Sequence, residues 1–305
     1  MKSKLLLFIC ASLSLLSAEA KNSFLQRPKI TGITSVAFYT KDLTSNISFY
    51  TNYLGFKVLN NNVVINKNQT VKLIPERLPN GNRLAYFSLA VDNAEAMRKY
   101  LLEKGIDVPK NPIKKSVSGN YSFFIKDPNG TTIQFLQNVK SKVPEKDYSA
   151  TKIADKLRHV GFMVPDVDKA NDFYKNILGF KETWRGGKEG ENVIWINLKV
   201  PNGDDYLELM LYDKIQSAEN MGVLNHICLE VENVDSVQNK LTTRTLPAHC
   251  KIATPIKTGI NKKRQINTFD IDATRIEIME SKTIDGIPPV SSKGKPLKFI
   301  EPVKN

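Results

Sequence analysis

An eight-residue phrase occurs twice in this chain, as Phe49-Tyr50-Thr51-Asn52-Tyr53-Leu54-Gly55-Phe56 and as Phe173-Tyr174-Lys175-Asn176-Ile177-Leu178-Gly179-Phe180. Each copy follows a strand-like run, Ile33 to Tyr39 in the first case and Arg158 to Val164 in the second. An internal repeat of this length constrains the fold more than any composition, because one supersecondary unit must be built at least twice and stacked. Two further copies follow the same order. One opens at Leu84 to Val91, carries a helical pattern from Ala94 to Lys104, and closes through Tyr121 to Ile125, the turn Asp127-Pro128-Asn129-Gly130, and Thr131 to Leu136. The other opens at His226, has its helix near Val234 to Thr243, and closes with Gln265 to Phe269 and Thr274 to Met279. Asp270-Ile271-Asp272-Ala273 stands where the other copy has Asp-Pro-Asn-Gly, and both read as turns.

The third copy shows why its helix forms. Asp166 or Asp168 offers a carboxylate to the free N–H groups of the first turn. Val167, Ala170, Phe173, Tyr174, Ile177 and Leu178 recur at helical spacing and define one apolar face. Gly179 ends it, since glycine enters the left-handed region without a side-chain clash.

The strands of copies three and four carry the chemistry. His159 lies opposite Val160, Phe162 and Val164; Glu208 lies opposite Leu207, Leu209 and Leu211. His226 lies opposite Ile227, Leu229 and Val231; Glu277 lies opposite Ile276 and Ile278. Alternate residues of a strand face opposite sides, so all four leave the apolar face for the other one. The spacing repeats too: 208 − 159 = 49 and 277 − 226 = 51. One histidine on a strand is usually a satisfied structural residue, and one glutamate is usually solvated. Four at matched positions of two repeats make a ligand set for one divalent metal. Arg275 and Glu230 share that face, as supporting partners or as surface residues. Tyr206, Trp184 and Trp195 read as core or as pocket lining, with packing the simpler reading.

The chain has 305 residues with 41% hydrophobic and 25% charged side chains, as expected of a globular protein large enough for two domains. Residues 1–20 stand apart. Lys2 and Lys4 precede an apolar run from Leu5 to Leu16, and Ala18-Glu19-Ala20 follows as a small-x-small cleavage site. This is a secretory signal peptide, too short in its apolar part for a membrane span. The expected location is secreted or periplasmic, with no stable membrane insertion. Cys10 falls inside the removed segment, which leaves Cys228 and Cys250, with bridged and free states both open. The formal charge is +13, from 44 basic and 31 acidic residues. Lysines are scattered without an aromatic–basic stripe, so nucleic acid is not an expected partner. Lys262-Lys263-Arg264 is the one basic cluster, an exposed loop or the mouth of an anion-accepting pocket.

Taken together, the segments His159 to Phe180, His226 to Val231 and Asp270 to Glu277 give the chain a plan that resembles the vicinal oxygen chelate superfamily, which includes glyoxalase I, extradiol dioxygenases and bleomycin-resistance proteins. The resemblance implies an α+β fold of four βαβββ modules paired into two curled-sheet domains. Its boundaries are a metal-free domain at 30–138, a linker at 139–155, a metal-binding domain at 156–281 and an extended tail at 282–305. Family ligand positions fall on His159, Glu208, His226 and Glu277. The corresponding residues of the first two copies are Ser35, Lys72, Tyr86 and Gln134, which cannot form such a site.

A set of two imidazoles and two carboxylates suits Zn, Mn, Fe, Co or Ni. By resemblance to glyoxalase I, Glu277 or Glu208 is the general base of a lyase or isomerase acting on an α-hydroxycarbonyl or similar small molecule, anionic or neutral. Two alternatives stand beside this reading: an extradiol-type Fe(II) dioxygenase, and a non-catalytic binding protein of the resistance type. The sequence leaves a homodimer open.

Overall fold

The computed structural model describes residues 25–76, 81–117, 119–137, 149–187 and 192–300. The expected signal segment, residues 1–20, and most of the expected linker, 139–155, lie outside them. Two mixed sheets make up the described chain. In the N-terminal sheet, β1 (Ile30–Thr40), β2 (Lys57–Leu59), β3 (Asn62–Val64), β4 (Thr70–Pro75), β5 (Leu84–Val91), β6 (Tyr121–Lys126) and β7 (Thr132–Gln137) lie in the order β2-β3-β4-β1-β5-β7-β6. The C-terminal sheet is built from β8 (Lys156–Val164), β9 (Lys181–Gly186), β10 (Trp195–Lys199), β11 (Tyr206–Leu211), β12 (His226–Val231), β13 (Lys257–Thr258), β14 (Lys263–Phe269) and β15 (Arg275–Thr283). Its order is β13-β14-β15-β12-β8-β11-β10-β9. In each sheet the first strands of two copies pair antiparallel at the centre, β1 with β5 and β8 with β12. The last strand of each copy then flanks its own first strand in parallel.

Three copies follow the strand–helix–three-strand plan. The second forms only two strands after its helix among the described residues, with a lone bridge between Lys115 and Tyr121 in place of a third. Pro109 and Pro112 stand in that stretch. A proline cannot donate to a sheet ladder, which explains why pairing fails there.

The helices are α1 (Leu43–Ser48), α2 (Ala94–Glu103), α3 (Val167–Asn171), α4 (Ala218–Leu224) and α5 (Val234–Thr242). Asp166 caps α3 by accepting from the N–H of Lys169, and Asp42 caps α1 in the same way through Ser45. Both helices widen into π-helical turns, Phe49–Tyr53 and Asp172–Ile177, at the repeated phrase. Gly55 and Gly179 close them with φ of 75° and 74°.

The helices lock the two sheets together. Tyr174, from the third copy, donates its hydroxyl to Asp127 of the second at 2.8 Å. Asn46 of the first donates to Asp272 of the fourth at 3.2 Å. Phe87 and Phe162, from the two central pairs, meet at 5.2 Å between ring centroids. The tail crosses to the far edge of the C-terminal sheet. There Val193 bridges Pro296, Leu297 N–H donates to Val193, and Trp184 Nε1 donates to the Val290 carbonyl at 3.3 Å. Cys228 and Cys250 are both free thiols. No helix among the described residues is long and apolar enough to cross a membrane.

Candidate metal centre

Register brings the four predicted side chains to one place. On the central pair, His159 stands opposite Cys228 and His226 opposite Gly161. Glu208, on β11, is level with Gly161, and Glu277, on β15, is level with Cys228. The four therefore converge from four adjacent strands, β15-β12-β8-β11, onto one face. One ligand atom from each falls within 4.8 Å of all the others. His159 Nε2 and His226 Nε2 are 3.2 Å apart. His159 Nε2 is 3.3 Å from Glu277 and 3.8 Å from Glu208, while His226 Nε2 is 3.4 Å from Glu208 and 3.8 Å from Glu277. Ligands about 2.1 Å from a common ion are separated by roughly 3.0–3.5 Å, so the donor set fits a single divalent cation.

A glycine makes the arrangement possible. Gly161 lies between His159 and Met163 on the same face, and a Cβ there would overlap the His226 ring. The His226 imidazole fills that space and is fully buried. Its Nδ1 lies 2.9 Å from the Leu224 carbonyl, which places the proton on Nδ1 and leaves the Nε2 lone pair facing the cluster. The Tyr206 ring lies against His159 at 4.6 Å.

The electrostatics suit a cation. Burial pushes the Glu277 carboxyl up, but the His159 hydrogen bond and the charges of Arg275 and both histidines outweigh it and hold it well below its ordinary value. Glu208 shifts the same way, with His159 and His226 overcoming burial. Burial lowers His226, Arg275 lowers it further, and Glu208 opposes both. Anionic carboxylates and an imidazole disposed to lose its proton are what a bound cation requires.

The other residues singled out in the sequence fall as follows. Arg275 Nη2 lies 2.7 Å from His226 Nε2. Glu230 pairs with Arg158 instead and takes no part in the cluster. Cys228 is buried on the same face but is not one of the converging ligand groups, and burial with the neighbouring Glu277 and Glu208 charges drives its thiol pKa well up. In the basic cluster, Lys262 pairs with Asp285 and Arg264 with Asp235. Lys263 is half-buried, and desolvation lowers its pKa. His249 is exposed on the segment before β13.

The N-terminal sheet places Ser35, Lys72, Tyr86 and Gln134 in matching registers. Tyr86 and Lys72 are both level with Ala37, and Ser88 pairs with Ser35 and Gln134. Gln134 bonds with Ser88 at 2.6 Å and Ser122 at 3.1 Å, and the Tyr86 ring turns edge-on to Phe124. Among the described residues the C-terminal quartet is the one group of this kind able to hold a metal.

Comparison with known proteins agrees in outline. The chain is 33% identical over 110 residues to human mitochondrial methylmalonyl-CoA epimerase and 29% identical over 110 residues to the mouse protein. These matches cover 32% of this chain, and 60% and 59% of those proteins. Among solved structures, homoprotocatechuate 2,3-dioxygenase from Brevibacterium fuscum aligns with a TM-score of 0.64 at 18% identity, covering 84% of this chain and 72% of its own. The Mn(II)-bound glyoxalase from Novosphingobium aromaticivorans aligns at 0.63 with 17% identity, covering 90% and 89%. At such identities the likeness is one of fold. A family model matches residues 32–135 and again 156–278, most of both sheets, and so the chain belongs to the Glyoxalase/Bleomycin resistance protein/Dioxygenase superfamily.

Proposed function

We propose that this protein is a metal-dependent isomerase or lyase that moves a proton at a carbon beside a carbonyl, on a small substrate with two neighbouring oxygens. The observation that carries the reading is the placement of the two carboxylates. Glu277 and Glu208 come from the strands that flank the central histidine-bearing pair, and so approach the cluster from opposite sides. His159, Glu208, His226 and Glu277 would hold the ion. Its chemistry there is Lewis-acid stabilisation of the negative charge that grows on a carbonyl oxygen when the neighbouring proton leaves.

The residues supply the proton path. One carboxylate takes the proton from the substrate carbon, and the other returns it, on the opposite face for inversion or at the adjacent carbon for isomerisation. Burial of both carboxylates excludes water, so an abstracted proton is held at the site. The epimerase relatives support a reaction of this type, and the N-terminal sheet serves as a metal-free partner. Residues 1–20 would direct the protein to a secreted or periplasmic location.

The test begins with elemental analysis of the purified protein, with one equivalent of metal per chain expected. Chelated protein is then reloaded with Zn, Mn, Fe, Co or Ni and incubated in heavy water with methylmalonyl-CoA and a panel of α-hydroxycarbonyl compounds. Metal-dependent deuterium incorporation into at least one compound supports the proposal. Absence of incorporation across the panel, with chelation making no difference, rejects it.

The two-sheet fold shared with the dioxygenase raises a second reading, Fe(II)-dependent ring cleavage. Oxygen uptake with catechols would support it. The quartet argues against it, with a second glutamate among the ligands and the chain's remaining histidine, His249, exposed on a surface segment.

A further inference from the structure

We infer that Arg275 is the substrate-anion anchor of this site, and that the preferred substrate carries a carboxylate beside its chelating oxygens. The inference rests on the metal-dependent reading above and adds a substrate class to it. Arg275 opens β15 two residues before Glu277, so both side chains project onto the same face. Its Nη2 donates to His226 Nε2 at 2.7 Å, the nitrogen that also faces His159 and Glu208. That lone pair cannot serve two partners. The opposite nitrogen, Nδ1, is already committed to the Leu224 carbonyl. A cation held by Nε2 therefore removes the acceptor of Arg275 while leaving its charge in place.

Among the described residues no hydrogen-bond acceptor replaces it, though the Arg275 charge acts on Glu277. Arg275 forms no ion pair among the described residues, and its Nε is buried without a hydrogen-bond partner. Two neighbouring amides on the same face are in a similar position. Asn267, level with Glu277 on β14, and Asn197, level with Glu208 on β10, each bury a side-chain oxygen without a partner. A buried polar group without a partner is costly, so the guanidinium Nε calls for an acceptor and the two amide oxygens for a donor, such as a substrate hydroxyl beside the carboxylate. Charge sets the ligand's sign. A divalent cation with Glu208 and Glu277 is neutral overall, and Arg275 leaves one positive charge beside it. A carboxylate cancels that charge and matches the guanidinium in geometry.

Hydroxypyruvate and dihydroxyacetone provide a matched pair of probes: both are hydroxycarbonyl compounds, and only the first bears a carboxylate. Calorimetric titration of metal-loaded wild-type protein is expected to show hydroxypyruvate binding about tenfold more tightly than dihydroxyacetone. Arg275→Met should bring the two within about twofold, chiefly by weakening hydroxypyruvate, while still holding one metal per chain. Arg275→Lys should recover part of the preference, since it keeps the charge and loses the fork. If metal binds but wild type shows no preference, or Arg275→Met retains it, the anchor role fails and the metal-enzyme reading stands. If the protein takes up no metal, both fail together.

Discussion

The two sheets share the order of their matching strands and the register around their central pairs, yet among the described residues only one of them gathers ligands. At equivalent places the C-terminal sheet has His159, Glu208, His226 and Glu277, and the N-terminal sheet has Ser35, Lys72, Tyr86 and Gln134. The difference extends to the backbone beneath. Gly161 leaves room for the His226 ring, whereas its counterpart Ala37 carries a Cβ, and Tyr86 turns away to Phe124. Lys72 places a cation where Glu208 places an anion. A site of this kind thus needs a missing Cβ as well as four donors, and the duplicated scaffold tolerates both versions because its core lies on the opposite faces of the same strands.

The sharpest way to break this comparison is to remove one ligand. Glu277→Gln or His226→Ala should lower metal content from about one equivalent to under roughly a tenth and abolish proton exchange, a loss of about a thousandfold or more. Gln134→Ala and Lys72→Ala, the N-terminal counterparts, should leave metal content unchanged. Elemental analysis of dialysed proteins reads both arms. Loss of metal in an N-terminal variant would mean that the two sheets do not divide the labour as described.

Gly161→Ala tests the backbone half of the argument. The added methyl displaces the His226 ring without altering any donor. Metal affinity should fall by about 10–100-fold, the size of effect seen when the group that orients a ligand is lost, with folding retained because Ala37 is accommodated at the same register. Competition against a chromophoric chelator measures it. An unchanged affinity would show that the ring has another way to reach the cluster.

These cases also show how much of the molecule was legible beforehand. The strand faces of His159, Glu208, His226 and Glu277 followed from alternation, and the Asp166 cap and the Gly179 stop followed from local chemistry. Alternation places Gly161 on the face of His159 and says no more of it, because the ring above it comes from a residue 65 positions away, 226 − 161. Arg275 was visible on the right face, with its contact to His226 hidden for the same reason. The π-helical turns and α4 escaped because they depend on packing more than on pattern. Arg83 of the N-terminal sheet donates to the Ala218 carbonyl of α4, a contact no local window contains. The edge pairing of the tail at Val193 is equally non-local.

A second contrast lies at the two helix–turn junctions and predicts smaller effects. Tyr174 and Tyr50 are both fully buried and occupy the same place in the repeated phrase. Tyr174 donates to Asp127, while the Tyr50 hydroxyl is buried without a partner. Tyr174→Phe should therefore cost about 1–3 kcal/mol, and Tyr50→Phe about zero or slightly less. Urea denaturation of the two variants gives the comparison directly. Equal costs would show that the junctions are equivalent in solution.

A pH-dependent effect concerns the carboxylates at those junctions. Asp270 accepts the N–H groups of Asp272 and Thr274 through Oδ1, and its Oδ2 is buried without a partner. Burial pushes its pKa up to about 7, with the Asp272 charge adding to the shift against the backbone hydrogen bonds. Asp127 is also raised by burial, but Tyr174 and three backbone N–H groups oppose the shift. A carboxyl whose folded pKa lies above its unfolded one binds more protons when folded. Between about pH 4 and pH 7 the stability it contributes therefore falls as pH rises, and above pH 7 the penalty is complete. Asp270→Asn removes this titration and keeps an acceptor for the turn. Its stability relative to wild type should improve by about 2–3 kcal/mol between pH 4.5 and pH 8, because only the wild-type carboxyl titrates there and any weakening of the two N–H bonds is the same at both pH values. Asp127→Asn should gain less over the same range, because ionised Asp127 has a tyrosine to answer it. Thermal melts at both pH values decide the matter, and a gain for Asp127→Asn as large as that for Asp270→Asn would remove the missing tyrosine bond as the cause of the difference.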